Sequence, residues 1–150
     1  MGATAELELA ELLAGMEPKV DSREFVYCCI DSAALGKLTV DPIGTFREEE
    51  DHTLILLRSQ AEENNLLFTF RCRKITLHVH SSLYAIGFLA AIATRLAKSG
   101  ISSNCVSAYH HDHLFVPAEE GERALLVLRE LQQASINARL AGRSAGPPIL

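Results

Sequence analysis

No stretch of the sequence reaches the roughly 18 uninterrupted apolar residues that a membrane-spanning helix needs. The first residues, Met1 to Leu13, carry Glu6, Glu8 and Glu11 where a secretory signal would carry a cationic flank. Basic charge is in short supply: 14 Lys and Arg against 19 Asp and Glu leave a formal net charge of -5. Such a field repels phosphate, so neither nucleic acid nor an anionic membrane surface is an expected partner. Cysteine is limited to Cys28, Cys29, Cys72 and Cys105, with one adjacent pair and no C-x-x-C. That spacing fits neither a structural zinc site nor a secreted disulfide framework; the four read as reduced core residues, and the cytoplasm is the expected location. Catalytic signatures are missing as well. There is no G-x-S-x-G elbow to activate Ser81, no context that makes Cys105 a nucleophile, and no P-loop or G-x-G-x-x-G turn for a nucleotide. Neither an enzyme nor a cofactor is expected.

What is present is a globular composition: 48% hydrophobic and 22% charged over 150 residues, enough for one continuous core or two very small subdomains. Ala5 to Met16 spaces its leucines as a short helix would, ending near Gly15 and Pro18. The apolar runs Phe25 to Ile30 and Thr53 to Leu57 read as buried strands. Between them lies a loop-rich stretch with a short strand near Leu38 to Val40 and the acidic run Glu48 to Asp51. Ser59 to Asn65 reads as a brief helix, and Leu66 to Phe70 resumes an extended character.

The second half is more regular. Lys74 to His80 alternates, with Ile75, Leu77 and Val79 on one face and Thr76, His78 and His80 on the other, as in a half-buried strand. Ser81 and Ser82 offer N-cap hydroxyls to a helix whose apolar series runs Leu83, Ile86, Ala90, Ala93, Ala97 and stops at Gly100. Ile101 to Tyr109 and His113 to Val116 form a hairpin, with Asp112 as a turn-forming side chain. Glu119, Glu120 and Glu122 open a last helix, and the tail from Gly142 is loose. Strand, helix, strand, strand, helix is five-sixths of a ferredoxin-like βαββαβ unit, so one sheet edge needs a strand from the first half or from a second subunit.

Three stretches, Thr45 to Leu56, Ile75 to Leu83 and Gly100 to Pro117, resemble a family of small ACT-domain proteins. The resemblance implies an α/β (α+β) protein of two tandem ACT units, similar in architecture to cytosolic amino-acid sensors. It implies a degenerate N-terminal unit over 1–70, a second unit over 71–140, a flexible tail over 141–150, and an antiparallel sheet with helices on one face. It also implies regulation by a bound small molecule. ACT units commonly bind amino acids where the first strand meets the first helix, often across an interface with another unit. The better-known ACT pattern places an acidic residue and a glycine turn there, whereas this chain has His80-Ser81-Ser82 and brings in glycine only at Gly87.

On that resemblance the site is expected at His80, Ser81, Ser82 and Leu83, with Ser102 and Asn104 on the neighbouring strand and Glu49 and Glu50 as partners for an ammonium. A helix start there would present unpaired N–H groups to a ligand carboxylate. The expected partner is an amino-acid-like small molecule, acting on a homo-oligomer such as a dimer or on a regulatory protein partner. Two alternatives stand beside it: a metal-binding protein using His78, His80, His110, His111 and His113, and a ligand-free dimerisation scaffold.

Overall fold

A computed structural model of the chain describes residues 3–144. Six strands form one antiparallel sheet: β1 (Pro18–Ile30), β2 (Gly44–Arg47), β3 (His52–Leu57), β4 (Thr69–Leu77), β5 (Asn104–Ser107) and β6 (Asp112–Pro117), in the order β2-β3-β1-β4-β6-β5. Five helices accompany them: α1 (Ala3–Gly15), α2 (Ser32–Leu35), α3 (Arg58–Glu63), α4 (Phe88–Lys98) and α5 (Gly121–Ser144), the last preceded by a 3-10 turn at Ala118–Glu120. The order is palindromic. Reading outward from the centre, β1-β3-β2 mirrors β4-β6-β5, and each half repeats strand, helix, strand, strand, helix.

That palindrome resolves the missing strand. β4 takes the fourth-strand place of the first unit, and β1 takes the same place for the second, through antiparallel pairing from Pro18↔Leu77 to Tyr27↔Thr69. Each unit is closed by the other within one chain, which removes an unpaired edge from the middle of the sheet.

Strand alternation sorts the core onto two faces. On the helix side, Ile75, Leu77, Leu114 and Val116 pack with Leu12 and Met16 of α1, with Phe88, Ile92 and Leu96 of α4, and with Ala124 and Leu128 of α5. Val26, Cys28, Ile30, Leu54 and Leu56 continue this layer under Ala61 of α3. On the opposite face Phe25, Ile55, Cys72 and Phe115 are buried together, with Tyr27 and Phe70 edge-on in the same aromatic cluster. Helices lie on one face of a curled sheet, as expected.

Several local expectations are corrected. Strand β4 ends at Leu77 instead of reaching His80: His78 N–H still bonds Glu17 O at 3.1 Å, one step past the Pro18↔Leu77 pair, and the chain then turns, with Val79 N–H reaching back to Leu77 O at 2.9 Å. Helix α4 begins at Phe88 instead of at Ser81 or Ser82; residues 81–87 are a loop. The serine hydroxyls are engaged elsewhere, Ser81 with Asp112 and Ser82 with Tyr84 N–H. Leu83, Ile86, Ala90 and Ala97 of the expected stripe are exposed; the buried face of α4 is Phe88, Ile92 and Leu96, one register away. At the other end the signal holds: Gly100, at φ 72, lets its own N–H reach Ala97 O and Ile101 N–H reach Leu96 O at 3.0 Å, a Schellman closure.

No strand forms near Leu38 to Val40, whose apolar side chains pack under the sheet while β2 supplies the edge. Strand β5 is shorter than Ile101 to Tyr109. Cys29 and Cys105 are exposed, and only Cys28 and Cys72 are core. Helix α5 runs through Ser144, past the expected start of a loose tail; residues 145–150 lie outside the described residues. Among the described residues no helix is long and apolar enough to cross a membrane.

Candidate functional site

The loop that replaces the expected helix start builds a cleft. Ser81, Ser82, Leu83, Gly87 and the first turn of α4, Phe88 to Ala90, surround a cavity of about 140 Å³ that Ser107 and Asp112 close from the neighbouring hairpin. Three elements converge here because β4, β5 and β6 end at the same edge of the sheet: Leu77 pairs with Asp112, and Asp112 with Ser107.

Asp112 is the one charged residue among the described buried side chains, at 4% exposure. A buried carboxylate is costly unless its oxygens are satisfied. Ser81 Oγ donates to Oδ2 at 2.7 Å and Ser107 Oγ donates to Oδ1 at 2.6 Å. On the other side Gly87 stands at the N-cap of α4 with φ 88, and no side chain caps the helix. Glycine is suited to that left-handed position. The uncapped first-turn N–H groups and the positive end of an 11-residue helix therefore face the same cleft as a buried carboxylate. One wall suits an anionic group and the other a cationic one.

Of the expected site residues, the structure brings Ser81, Ser82 and Leu83 to this cleft. His80 leaves it, stacking on His110 and His111 at ring-centroid distances of 6.1 and 5.1 Å. Ser102 and Asn104 lie at the far end of β5 from Asp112; the strand contributes Ser107 instead. Glu49 and Glu50 sit in the β2–β3 turn beside Ile30, at the opposite end of β1 from Pro18 and Leu77, a separation of roughly 30–40 Å for a strand of this length. They are exposed and do not reach Ser81. Ser107, Asp112 and the capping role of Gly87 were not legible as site features; an aspartate in a hairpin turn carries the same signal whether it is solvated or buried.

The equivalent junction in the first unit is built differently. Ser32 Oγ meets His52 Nε2 at 3.0 Å, where Ser81 meets Asp112 in the second. Asp31 caps α2 by accepting from Ala34 N–H at 2.7 Å. Helix α2 has four residues and buries none of them, so it supplies neither a lasting dipole nor a wall.

The histidines expected as metal ligands separate into two environments. His78, His80, His110 and His111 meet one another in tilted and edge-on ring contacts, whereas His113 turns its Nδ1 to Thr76 Oγ1 at 3.0 Å. Among the described residues no group of three or more His, Cys, Asp or Glu side chains is placed to hold a metal ion. The two core thiols are poor nucleophiles: burial pushes the Cys72 thiol up to about 12 and raises that of Cys28.

Comparison with known proteins agrees with this architecture. ACT-domain family models match residues 4–73 and 68–130, so both include the start of β4. A Vibrio cholerae protein of unknown function is 39% identical, with 85% of this chain and 98% of that one covered and a TM-score of 0.76. The ligand-free regulatory subunit of aspartate kinase from Thermus thermophilus shares the fold at 12% identity and a TM-score of 0.62, covering 77% of this chain and 97% of that one. An Agrobacterium tumefaciens protein does so at 13% identity and a TM-score of 0.62, covering 78% and 89%. No curated protein matches the sequence. With two family matches spanning most of its length and a sheet in which each unit completes the other, the chain belongs to the ACT-domain family and carries two ACT domains in tandem.

Proposed function

We propose that the chain is a regulatory, non-catalytic module that captures a small amino-acid-like ligand in the cleft between the 81–87 loop and Asp112. The observation that carries this reading is the pairing of opposite polarities across about 140 Å³: an uncapped helix start on one side and a buried carboxylate on the other. An α-amino acid presents the complementary pair. Its carboxylate suits the N–H groups of Phe88 to Ala90, and its ammonium suits Asp112, already oriented by Ser81 and Ser107. The volume favours a small side chain.

The functional division into units over 1–70 and 71–140 belongs to the same proposal, with the ligand site in the second. Leu83, Tyr84 and Ile86 are 66%, 93% and 61% exposed on the outer side of the loop. An exposed apolar crest at the mouth of a cleft suits an interface whose assembly answers to the ligand, in a homodimer or with a regulatory partner protein. The output is a population shift, set by the ligand's differential affinity for the docked arrangement.

The test is a melting-temperature screen of the full chain against the twenty amino acids, since a ligand of the native state stabilises it by mass action. One or a few are expected to raise the melting temperature, and Asp112→Asn is expected to abolish the response while the protein stays folded. A flat screen, or an unchanged response in the variant, rejects the reading.

A further inference from the structure

The helix-free face of the sheet holds a second cavity, remote in character from the first. The sheet curls until its two edges approach: Ile43, next to β2, and Val106 of β5 both line a space of about 110 Å³ backed by Ile55 and Phe115. Its polar groups are Lys74 and His113.

Lys74 lacks a counter-ion. It is partly buried, its ammonium lies 5.5 Å from the centroid of the Phe25 ring, and among the described residues no carboxylate forms an ion pair with it. Asp21 feels its charge but is held by Arg23 at 2.7 Å. A partly buried ammonium beside apolar walls, with no carboxylate paired to it, is a ready partner for an anion.

His113 completes the polar end. Thr76 Oγ1 lies 3.0 Å from His113 Nδ1. Donation by that hydroxyl leaves the imidazole proton on Nε2, free to donate to an anion.

We propose that this cavity binds a small monocarboxylate with a short apolar tail, its carboxylate held by Lys74 and His113 and its tail against Ile43, Ile55, Val106 and Phe115. A dry cavity near 150 Å³ holds benzene, so this smaller one suits about four or five non-hydrogen atoms, the size of acetate or propionate. The site lies on the opposite face from the amino-acid cleft and shares no residue with it.

The test is a titration of the 15N-labelled full chain with sodium propionate against sodium chloride at equal ionic strength, following the amides of Ile43, Gly44, Val106 and Ala108. Saturable shifts confined to that group are expected, with none from n-propanol. Lys74→Met is expected to weaken binding at least about tenfold, the loss of one charge-assisted hydrogen bond, whereas Lys74→Arg keeps it. Val106→Trp, on an edge strand where Val106 is 38% exposed, fills the cavity and is expected to abolish binding even if Lys74→Met proves unstable. An absent or chloride-matched response, shifts that move to residues 81–90, or undiminished binding by Val106→Trp overturns the proposal.

Discussion

Asp112 concentrates the chemistry of the second unit. Placed first in β6, it is carried into the interior by pairing with both Leu77 and Ser107, so its carboxylate must be satisfied by side chains rather than by water. Ser81 and Ser107 each supply one hydroxyl. Ser107→Ala is therefore expected to lower unfolding stability by about 1–3 kcal/mol, the cost of leaving a buried acceptor short of a donor. Urea denaturation measures it, and Ser81→Ala with Ser107→Ala should depart from additivity because both act on one group. A Ser107→Ala protein within about 0.3 kcal/mol of the parent would mean that Asp112 is solvated.

Between elements, two loops are zipped together by imidazoles. His78 and His80 follow β4, His110 and His111 precede β6, and their rings meet at centroid distances from 5.1 to 6.5 Å. Burial, then the neighbouring His80, His78 and His110, lowers the pKa of His111 from the usual 6.5, while Asp112 opposes the shift. Burial and Lys74 lower that of His113 in the same sense, again against Asp112. A histidine held neutral in the fold binds fewer protons than it does unfolded. Its stabilising effect is complete above the unfolded pKa near 6.5 and is lost as pH falls from there through the folded value. Thermal stability is thus expected to decline as pH drops from 7.5 toward 5.5, and His111→Gln is expected to shallow that decline. Melts in matched buffers check it; a slope unchanged by the substitution would place the titration elsewhere. The 81–87 loop shows how element boundaries escaped the sequence. Ser81 and Ser82 have the chemistry of helix caps, but Asp112, 31 residues beyond Ser81, captures the first hydroxyl, and Gly87 moves the start by more than one turn.

At the scale of the whole molecule, the junction of β1 with β4 decides that two incomplete units fold as one. Each βαββα half exposes its first strand when alone, an unpaired row of N–H and C=O groups flanked by apolar side chains. A fragment of residues 71–144 is therefore expected to self-associate or remain unfolded, and to form a soluble 1:1 complex when refolded with residues 1–70. Sedimentation and circular dichroism measure this; a monomeric, cooperatively folding fragment would show that β1 is dispensable.

The sequence by itself determined the element types wherever a short-range period governs them. The alternation through Ile75 and Leu77, the helix stop at Gly100, and the glutamates ahead of α5 all report contacts within a few residues, whereas the buried face of α4 fell on Phe88, Ile92 and Leu96 and not on the expected alanines. Family resemblance, rather than any property of serine, pointed to Ser81, Ser82 and Leu83, and these three line one cavity. Only the tertiary structure decided which strand completes each unit, that Glu49 and Glu50 stand at the far end of the sheet, and that Asp112 is buried. Those outcomes depend on pairings between residues tens of positions apart, and a local pattern carries no record of which distant strand will lie beside it.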